Sequence, residues 1–135
     1  MFRQLDDHVL VSGQIDPADV AEAAAQGVTM IVNNRPDGEA PDQPAGAAIA
    51  AAAEAAGVGY RAIPVGGGLS PELVQEMADA LGASEGKVLA YCASGRRSAF
   101  LWALARAQAG DDGEEIVGKA ANAGYDLTPI RSYLG

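Results

Sequence analysis

The chain reads as an α/β protein, a mostly parallel sheet of four to five strands with helices on both faces. Three observations predict this. Short apolar runs alternate with helical segments of about 10–15 residues. The runs Val28-Thr29-Met30-Ile31-Val32 and Lys87-Val88-Leu89-Ala90-Tyr91 have the continuity of strands buried on both faces. Glycines stand where helical segments should stop, at Gly27, Gly57 and Gly124.

Val9-Leu10-Val11-Ser12 is the first strand, and Gln14-Ile15 is a candidate for a second, short one. Asp16-Pro17-Ala18-Asp19 opens a helix, with Asp16 as cap, Pro17 at the first helical position and Asp19 at the positive end of the dipole. After the strand 28–32, the polar loop Asn33 to Glu39 begins, within a proline-rich stretch from Arg35 to Pro44. Ala45 to Ala56 is an alanine-rich helix, and Tyr60 to Ile63 a strand. Gly66-Gly67-Gly68 is a turn or a flap. Ser70-Pro71-Glu72 begins a helix that repeats Leu73, Val74, Met77 and Leu81 at helical spacing. Ser98 to Ala109 is apolar nearly all round, which places it centrally. Glu114 to Ala123 and Pro129 to Leu134 are two closing helices.

The totals narrow the function. A chain of 135 residues, 49% apolar and without repeat or linker, suits a single domain over residues 1–135. No run of 18 apolar residues is free of charge or glycine, so no membrane span is expected. The start, Met1-Phe2-Arg3-Gln4-Leu5, lacks the apolar run of a secretory signal, and a cytoplasmic location is the expectation. A net charge of −9 argues against nucleic acid and anionic lipid as partners. One cysteine allows no internal disulfide and no second thiol to resolve a modified Cys92. With one histidine besides, no metal site is expected, and nothing calls for a cofactor. His8 reads as a surface or strand-edge residue.

In parallel sheets ligands sit at the carboxyl ends of the strands. Two loops lie there, Asn33 to Glu39 and Cys92 to Ser98. Cys92 follows a buried strand and precedes a buried helix. The free amides of Ala93, Ser94, Gly95, Arg96 and their successors converge on the turn and suit an anion. The same dipole favours a thiolate at Cys92. Gly95 permits the tight turn. Arg97, one helical turn on, is placed to clamp an oxyanion with two parallel hydrogen bonds, whereas Arg96 is expected to face solvent. Ser98 is placed to donate its hydroxyl to the thiolate. Arg35 is a second candidate for anion binding, with Asp37 pairing either arginine. The plainer alternatives are an inert packed thiol at Cys92 and, in the first loop, asparagines tying down backbone beside an Arg35–Asp37 turn pair.

Cys, a turn, Arg and Ser resemble the active loops of cysteine-dependent phosphatases and of rhodaneses. Here four residues, Ala93 to Arg96, separate Cys92 from Arg97; this is the rhodanese count, one fewer than in tyrosine and dual-specificity phosphatases. Further segments are Ser12-Gly13-Gln14, Ile31 to Glu39, Tyr91 to Ser98 with Leu101-Trp102-Ala103-Leu104 following, and Ala123-Gly124-Tyr125-Asp126-Leu127. Together these resemble the phosphatase-like domain of beta-lactamase-hydrolase-like proteins, also described as sulfurtransferase-like, over almost the whole chain. The resemblance implies a protein-tyrosine-phosphatase-like fold of the dual-specificity type.

Sulfur transfer is the first functional reading. The shorter loop makes a smaller bowl, and no carboxylate lies between Glu54 and Glu72, where the phosphatase pattern places its general acid. Tyr91 also stands where phosphatases carry histidine before the cysteine. Cys92 would take a sulfur from thiosulfate or a persulfide, and a low-molecular-weight thiol such as glutathione would remove it. The alternative is a phosphatase acting on a phosphate ester, with Cys92 as nucleophile, Arg97 as clamp, Ser98 assisting breakdown and Asp37 or Glu39 as acid. A third reading is a non-catalytic anion-binding or redox-sensing module.

Overall fold

The computed structural model describes residues 2–135. Among them the chain forms five strands, five α-helices and a final 3-10 helix. These are β1 (Arg3–Gln4), β2 (Val9–Ser12), α1 (Pro17–Ala25), β3 (Val28–Asn33), α2 (Gly46–Ala55), β4 (Gly59–Ala62), α3 (Pro71–Ala83), β5 (Lys87–Tyr91), α4 (Arg96–Gln108) and α5 (Gly113–Asn122), with the 3-10 helix at Thr128–Tyr133. The strand order is β1-β2-β5-β3-β4. Only the β1–β2 pair is antiparallel among the described strands; the other three pairs are parallel. The expected mostly parallel sheet is therefore present.

The two faces are covered separately. On one, α1 and α2 pack Val20, Ala23, Ile49 and Ala53 against Leu10, Ile31, Leu89 and Tyr91. On the other, α3, α4 and α5 pack Met77, Leu101, Trp102 and Ile116 against Val9, Val11, Val32 and Val88. The small alanines let helices and sheet approach closely, which is how an alanine-rich chain reaches native density. Helix α4 is buried at Ser98, Ala99, Phe100, Leu101, Trp102, Ala103 and Ala105, so it is the central helix expected of its composition. Fully buried Trp102 donates Nε1–H to Asp6 Oδ2 at 2.9 Å. The other Asp6 oxygen accepts from His8 N (2.8 Å) and Val9 N (2.7 Å), which sets the start of β2. His8 is half-buried before that strand, its Nε2 3.1 Å from Leu81 O.

Three local expectations differ from the structure. Gln14-Ile15 is not a strand, because Gln14 N donates to Ala93 O (3.3 Å) rather than to a neighbouring strand. The extra strand is instead β1, two exposed residues with no apolar alternation to reveal them. The segment after Leu127 winds as a 3-10 rather than an α-helix. Gly66, Gly67 and Gly68, by contrast, form an exposed turn, one of the two expected alternatives.

The register sets the position of the site. Ser12 pairs with Tyr91, Tyr91 with Asn33, and Asn33 with Ala62. Four strands thus end in one row. The loops that leave them, beginning at Gly13, Cys92, Asn34 and Ile63, must share one edge of the sheet.

Candidate active site

Cys92 is the first residue beyond β5 and is fully buried. Its amide donates to Ser12 O at 3.4 Å, and its Sγ accepts from Gly95 N at 3.1 Å. That last contact needs a reversal of the chain within three residues. Gly95 supplies it with φ of +91°, a left-handed conformation that other residues rarely take. A Cβ there would also collide with the Tyr125 hydroxyl and with Val11 Cγ1. The loop is braced from behind by the segment after β2: a Cβ on Gly13 would stand 3.0 Å from Ala93 O, so glycine lets Ser12-Gly13-Gln14 lie this close without pressing on the loop. Helix α4 then starts at Arg96, two residues earlier than its apolar pattern implies. Arg96 N donates to Ser94 Oγ at 3.3 Å. The amides of Ala93, Ser94, Arg97 and Ser98 have no partner among the described residues. Of the amides expected to meet an anion, those of Ala93 and Ser94 are thus free, while those of Gly95 and Arg96 are engaged within the loop and those of Arg97 and Ser98 take their place.

Arg97 turns toward the thiol, and Arg96 turns away. The Arg97 guanidinium is held up in pKa first by its hydrogen bonds to Glu39, against burial, and then by nearby Cys92. The Arg96 guanidinium carbon lies 5.1 Å from the Phe100 ring centroid, in the exposed position expected of it.

The partner of Arg97 is Glu39. Arg97 Nη1 donates to Glu39 Oε2 (2.7 Å) and Nη2 to Oε1 (2.9 Å), the bidentate geometry of a guanidinium on a carboxylate. Nη1 also donates to Val65 O at 2.8 Å. Arg35 Nε donates to the same Glu39 Oε1 at 3.0 Å, and Arg35 Nη1 to Gln14 Oε1 at 3.0 Å. One carboxylate therefore joins both arginines. Hydrogen bonds from Arg97 foremost, and also from Arg35, hold its pKa down at about 2, from the usual 4.5. Arg35 and Arg97 do come together, as expected of two anion-binding residues, but through a carboxylate of the protein.

Asp37 has a different task. Its Oδ1 accepts from Gly46 N at 2.8 Å, the first amide of α2. The residue at the cap position of α2 is Ala45, which has no side chain to offer, so Asp37 caps the helix from nine residues away. It lines a cavity of about 280 Å³ with Asn33, Arg35, Tyr60 and Pro64, and the expected Arg35–Asp37 pair is replaced by Arg35–Glu39.

Ser98 also departs from expectation. Its hydroxyl donates to Asn34 Oδ1 at 2.7 Å, not to the sulfur. Fully buried Asn34 fastens the edge: its N donates to Tyr91 O (2.8 Å), its Nδ2 to Ile63 O (3.0 Å), and its O accepts from Val65 N (2.9 Å). Asn33 turns to the opposite face, accepting from Arg35 N (2.9 Å) and donating to Tyr60 Oη (3.0 Å). Both asparagines thus tie down loop backbone. Tyr91 points away from the thiol into the α1–α2 side, where burial pushes its phenol well above the usual range. Ser98→Ala leaves Asn34 Oδ1 buried without a donor. It should cost about 1–3 kcal/mol, read from chemical denaturation.

Glu39, Gln14, Asn34 and the Val65 carbonyl were not legible as one constellation, because they come from three loops. The one local signal was the polar Asn33–Glu39 segment itself. No cluster of three or more His, Cys, Asp or Glu side chains placed to hold a metal occurs among the described residues, and no helix there is long and apolar enough to cross a membrane.

Against known proteins, the pattern of the phosphatase-like domain of beta-lactamase hydrolase-like protein matches residues 1–109. A beta-lactamase hydrolase-like protein of Xylella fastidiosa is 36% identical over 134 residues, 96% of this chain. The chain spans only 31% of the length of that relative. A crystal structure from Neisseria meningitidis, of a candidate phosphatase, superimposes with a TM-score of 0.85 at 36% identity, covering 98% of this chain and 94% of that one. Tk-PTP in its active form, 19% identical with a TM-score of 0.72 over 98% of this chain and 92% of its own, shares the fold. The fold is thus that of the protein-tyrosine-phosphatase-like group. With a match across residues 1–109 and this identity along nearly its whole length, the chain belongs to the family of the beta-lactamase hydrolase-like protein phosphatase-like domain.

Proposed function

We propose that residues 1–135 act as one cysteine-dependent phosphatase domain, with Cys92 as nucleophile, Arg97 as clamp and Glu39 as general acid. The observation that carries this reading is the Glu39 carboxylate seated on Arg97. The carboxylate that the loop Pro64 to Leu69 lacks is supplied from the loop after β3. Phosphate ester cleavage needs such a group, and sulfur transfer does not.

The chemistry follows from the geometry. The Cys92 thiolate attacks phosphorus, the ester P–O bond breaks, and Glu39 gives the leaving oxygen its proton. Water then attacks phosphorus, giving a proton to Glu39, the S–P bond breaks to return the Cys92 thiolate, and phosphate leaves. The amides of Ala93, Ser94, Arg97 and Ser98 and the fork of Arg97 stabilise charge on the equatorial oxygens. Ser98 acts by positioning Asn34 rather than by touching sulfur.

Glu39 at a pKa of about 2 is ionised at neutral pH and is no acid as it stands. A phosphate dianion resolves this. By taking the Arg97 fork it removes the main interaction that keeps Glu39 ionised, and its own charge favours the protonated carboxyl. Substrate therefore competes with Glu39 for Arg97 and arms it in doing so.

Glu39→Gln tests both halves. Turnover of alkyl phosphates, whose leaving groups need a proton, should fall about 100-fold or more. Loss with p-nitrophenyl phosphate should be much smaller, and inhibition by inorganic phosphate should tighten. The same variant has a pH signature. Because the folded pKa lies below 4.5, the contacts of Glu39 add stability that is complete above about pH 4.5 and disappears as pH falls toward 2. The denaturation midpoint of Glu39→Gln should be flatter over that window.

Sulfur transfer is kept as the second reading on one observation, the four-residue span from Cys92 to Arg97. Cys92 would attack the outer sulfur of thiosulfate, the S–S bond would break, and sulfite would leave. A gain of one sulfur from thiosulfate, with no phosphate ester turned over, favours that reading.

A further inference from the structure

A second cavity, of about 430 Å³, adjoins the Cys92 loop and is lined by Arg3, Ser94, Arg96, Tyr125, Asp126 and Pro129 among others. Arg35, Arg97 and Glu39 are not part of it. It shares Ser94 with the loop, and the Tyr125 hydroxyl donates to Ser94 O at 3.3 Å. Tyr125 feels both neighbours, Arg3 lowering its pKa and Cys92 raising it, with burial the main cause of its net upward shift. The ring thus bridges the thiol region and the cavity.

The cations are the telling feature. The chain has only nine Lys and Arg against 18 acids, and four of the nine, Arg3, Arg35, Arg96 and Arg97, surround this loop. Arg35 and Arg97 share one carboxylate, Glu39, which offsets one of their two charges. Arg3 and Arg96 have no carboxylate within 4.0 Å among the described residues. Each is instead held against an aromatic ring, Arg3 at 5.6 Å from the Tyr125 centroid and Arg96 at 5.1 Å from that of Phe100. Stacking fixes a guanidinium while leaving its N–H groups to donate. Arg3 spends one on Ala123 O at 3.0 Å. The acid of the cavity, Asp126, is engaged by Thr128 N (2.9 Å) and Thr128 Oγ1 (2.6 Å) and lies near enough to Arg96 to sense its charge. It offsets one arginine and leaves the lining net positive.

We propose that this cavity is a second anion subsite, and that the substrate is a small phosphate monoester carrying a second anionic group, most simply a bisphosphate. The proposal rests on the phosphatase reading for the first phosphate only. One phosphoryl group occupies the Cys92 loop while the other meets Arg3 and Arg96 across Tyr125.

Binding to the Cys92→Ser protein, followed by calorimetry at fixed salt, tests it without any turnover. Fructose 1,6-bisphosphate should bind about tenfold or more tightly than fructose 6-phosphate. Arg96→Gln, made in the Cys92→Ser protein, should erase most of that preference, and so should Arg3→Gln. Measured with Cys92 intact, Arg3→Gln should leave p-nitrophenyl phosphate turnover within about twofold. Equal affinity for the two sugars, or a preference that survives both substitutions, overturns the subsite. Should Arg3→Gln fail to fold, Arg96→Gln decides alone. Failure of the phosphatase reading would show separately, as p-nitrophenyl phosphate turnover that is absent or indifferent to Cys92.

Discussion

Cys92→Ser should abolish phosphate ester turnover, by about 1,000-fold or more, while leaving the fold intact. The two halves of this expectation have different causes. The side chain is fully buried, and Sγ accepts a hydrogen bond from Gly95 N that a serine oxygen can also accept. Serine is smaller than cysteine and fits the same volume, so the unfolding midpoint should shift little. Its hydroxyl has no base at hand, because Ser98 donates to Asn34 and Glu39 is bound to arginine. Activity measured with p-nitrophenyl phosphate, alongside thermal unfolding of the same samples, checks both halves. Comparable activity in the variant would mean that the loop binds an anion but that its sulfur takes no part.

Arg97→Ala should cost about 100- to 1,000-fold in kcat/KM, the range found when a preorganised donor to a developing oxyanion is removed. Three contacts go at once: the fork on Glu39, the bond to Val65 O, and the side-chain cation beside Cys92. Loss of the Arg97 contact leaves Val65 held only through its N–H on Asn34 O, so KM should rise as kcat falls. Arg97→Lys keeps a charge but not the planar fork, and it should recover only a small part of the loss. Steady-state kinetics on the three proteins separate charge from geometry. Equal activity in Arg97→Lys and the parent chain would show that a point charge suffices.

The architecture was legible because its signals are local. Continuous apolar runs marked the strands β3 and β5, and an apolar surface all round marked α4 as central. The placement of the Cys92 loop followed from the rule that parallel sheets open at their carboxyl ends, and the pairing of Ser12, Tyr91, Asn33 and Ala62 in one row is the structural form of that rule. The side-chain partners were not legible, since they are decided by contacts far apart in sequence. Ser98 finds Asn34 across 64 residues and Arg97 finds Glu39 across 58. Asp37 and Glu39 were both candidates for the acid. Asp37 is drawn off by α2, whose Ala45 leaves an amide that something else must satisfy. Glu39, two residues on, then takes the arginines. The expectation of sulfur transfer drew on the absence of a carboxylate from the loop Pro64 to Leu69; the structure sets Glu39, from the loop after β3, on Arg97.

The most direct measurement is to mix the protein with p-nitrophenyl phosphate, quench in acid within the first turnovers, and weigh the intact chain. One phosphoryl group should appear on Cys92, accumulate further in Glu39→Gln, where the second step lacks its base, and be absent in Cys92→Ser. No phosphoryl adduct in any of the three proteins, together with one added sulfur after exposure to thiosulfate, would contradict it.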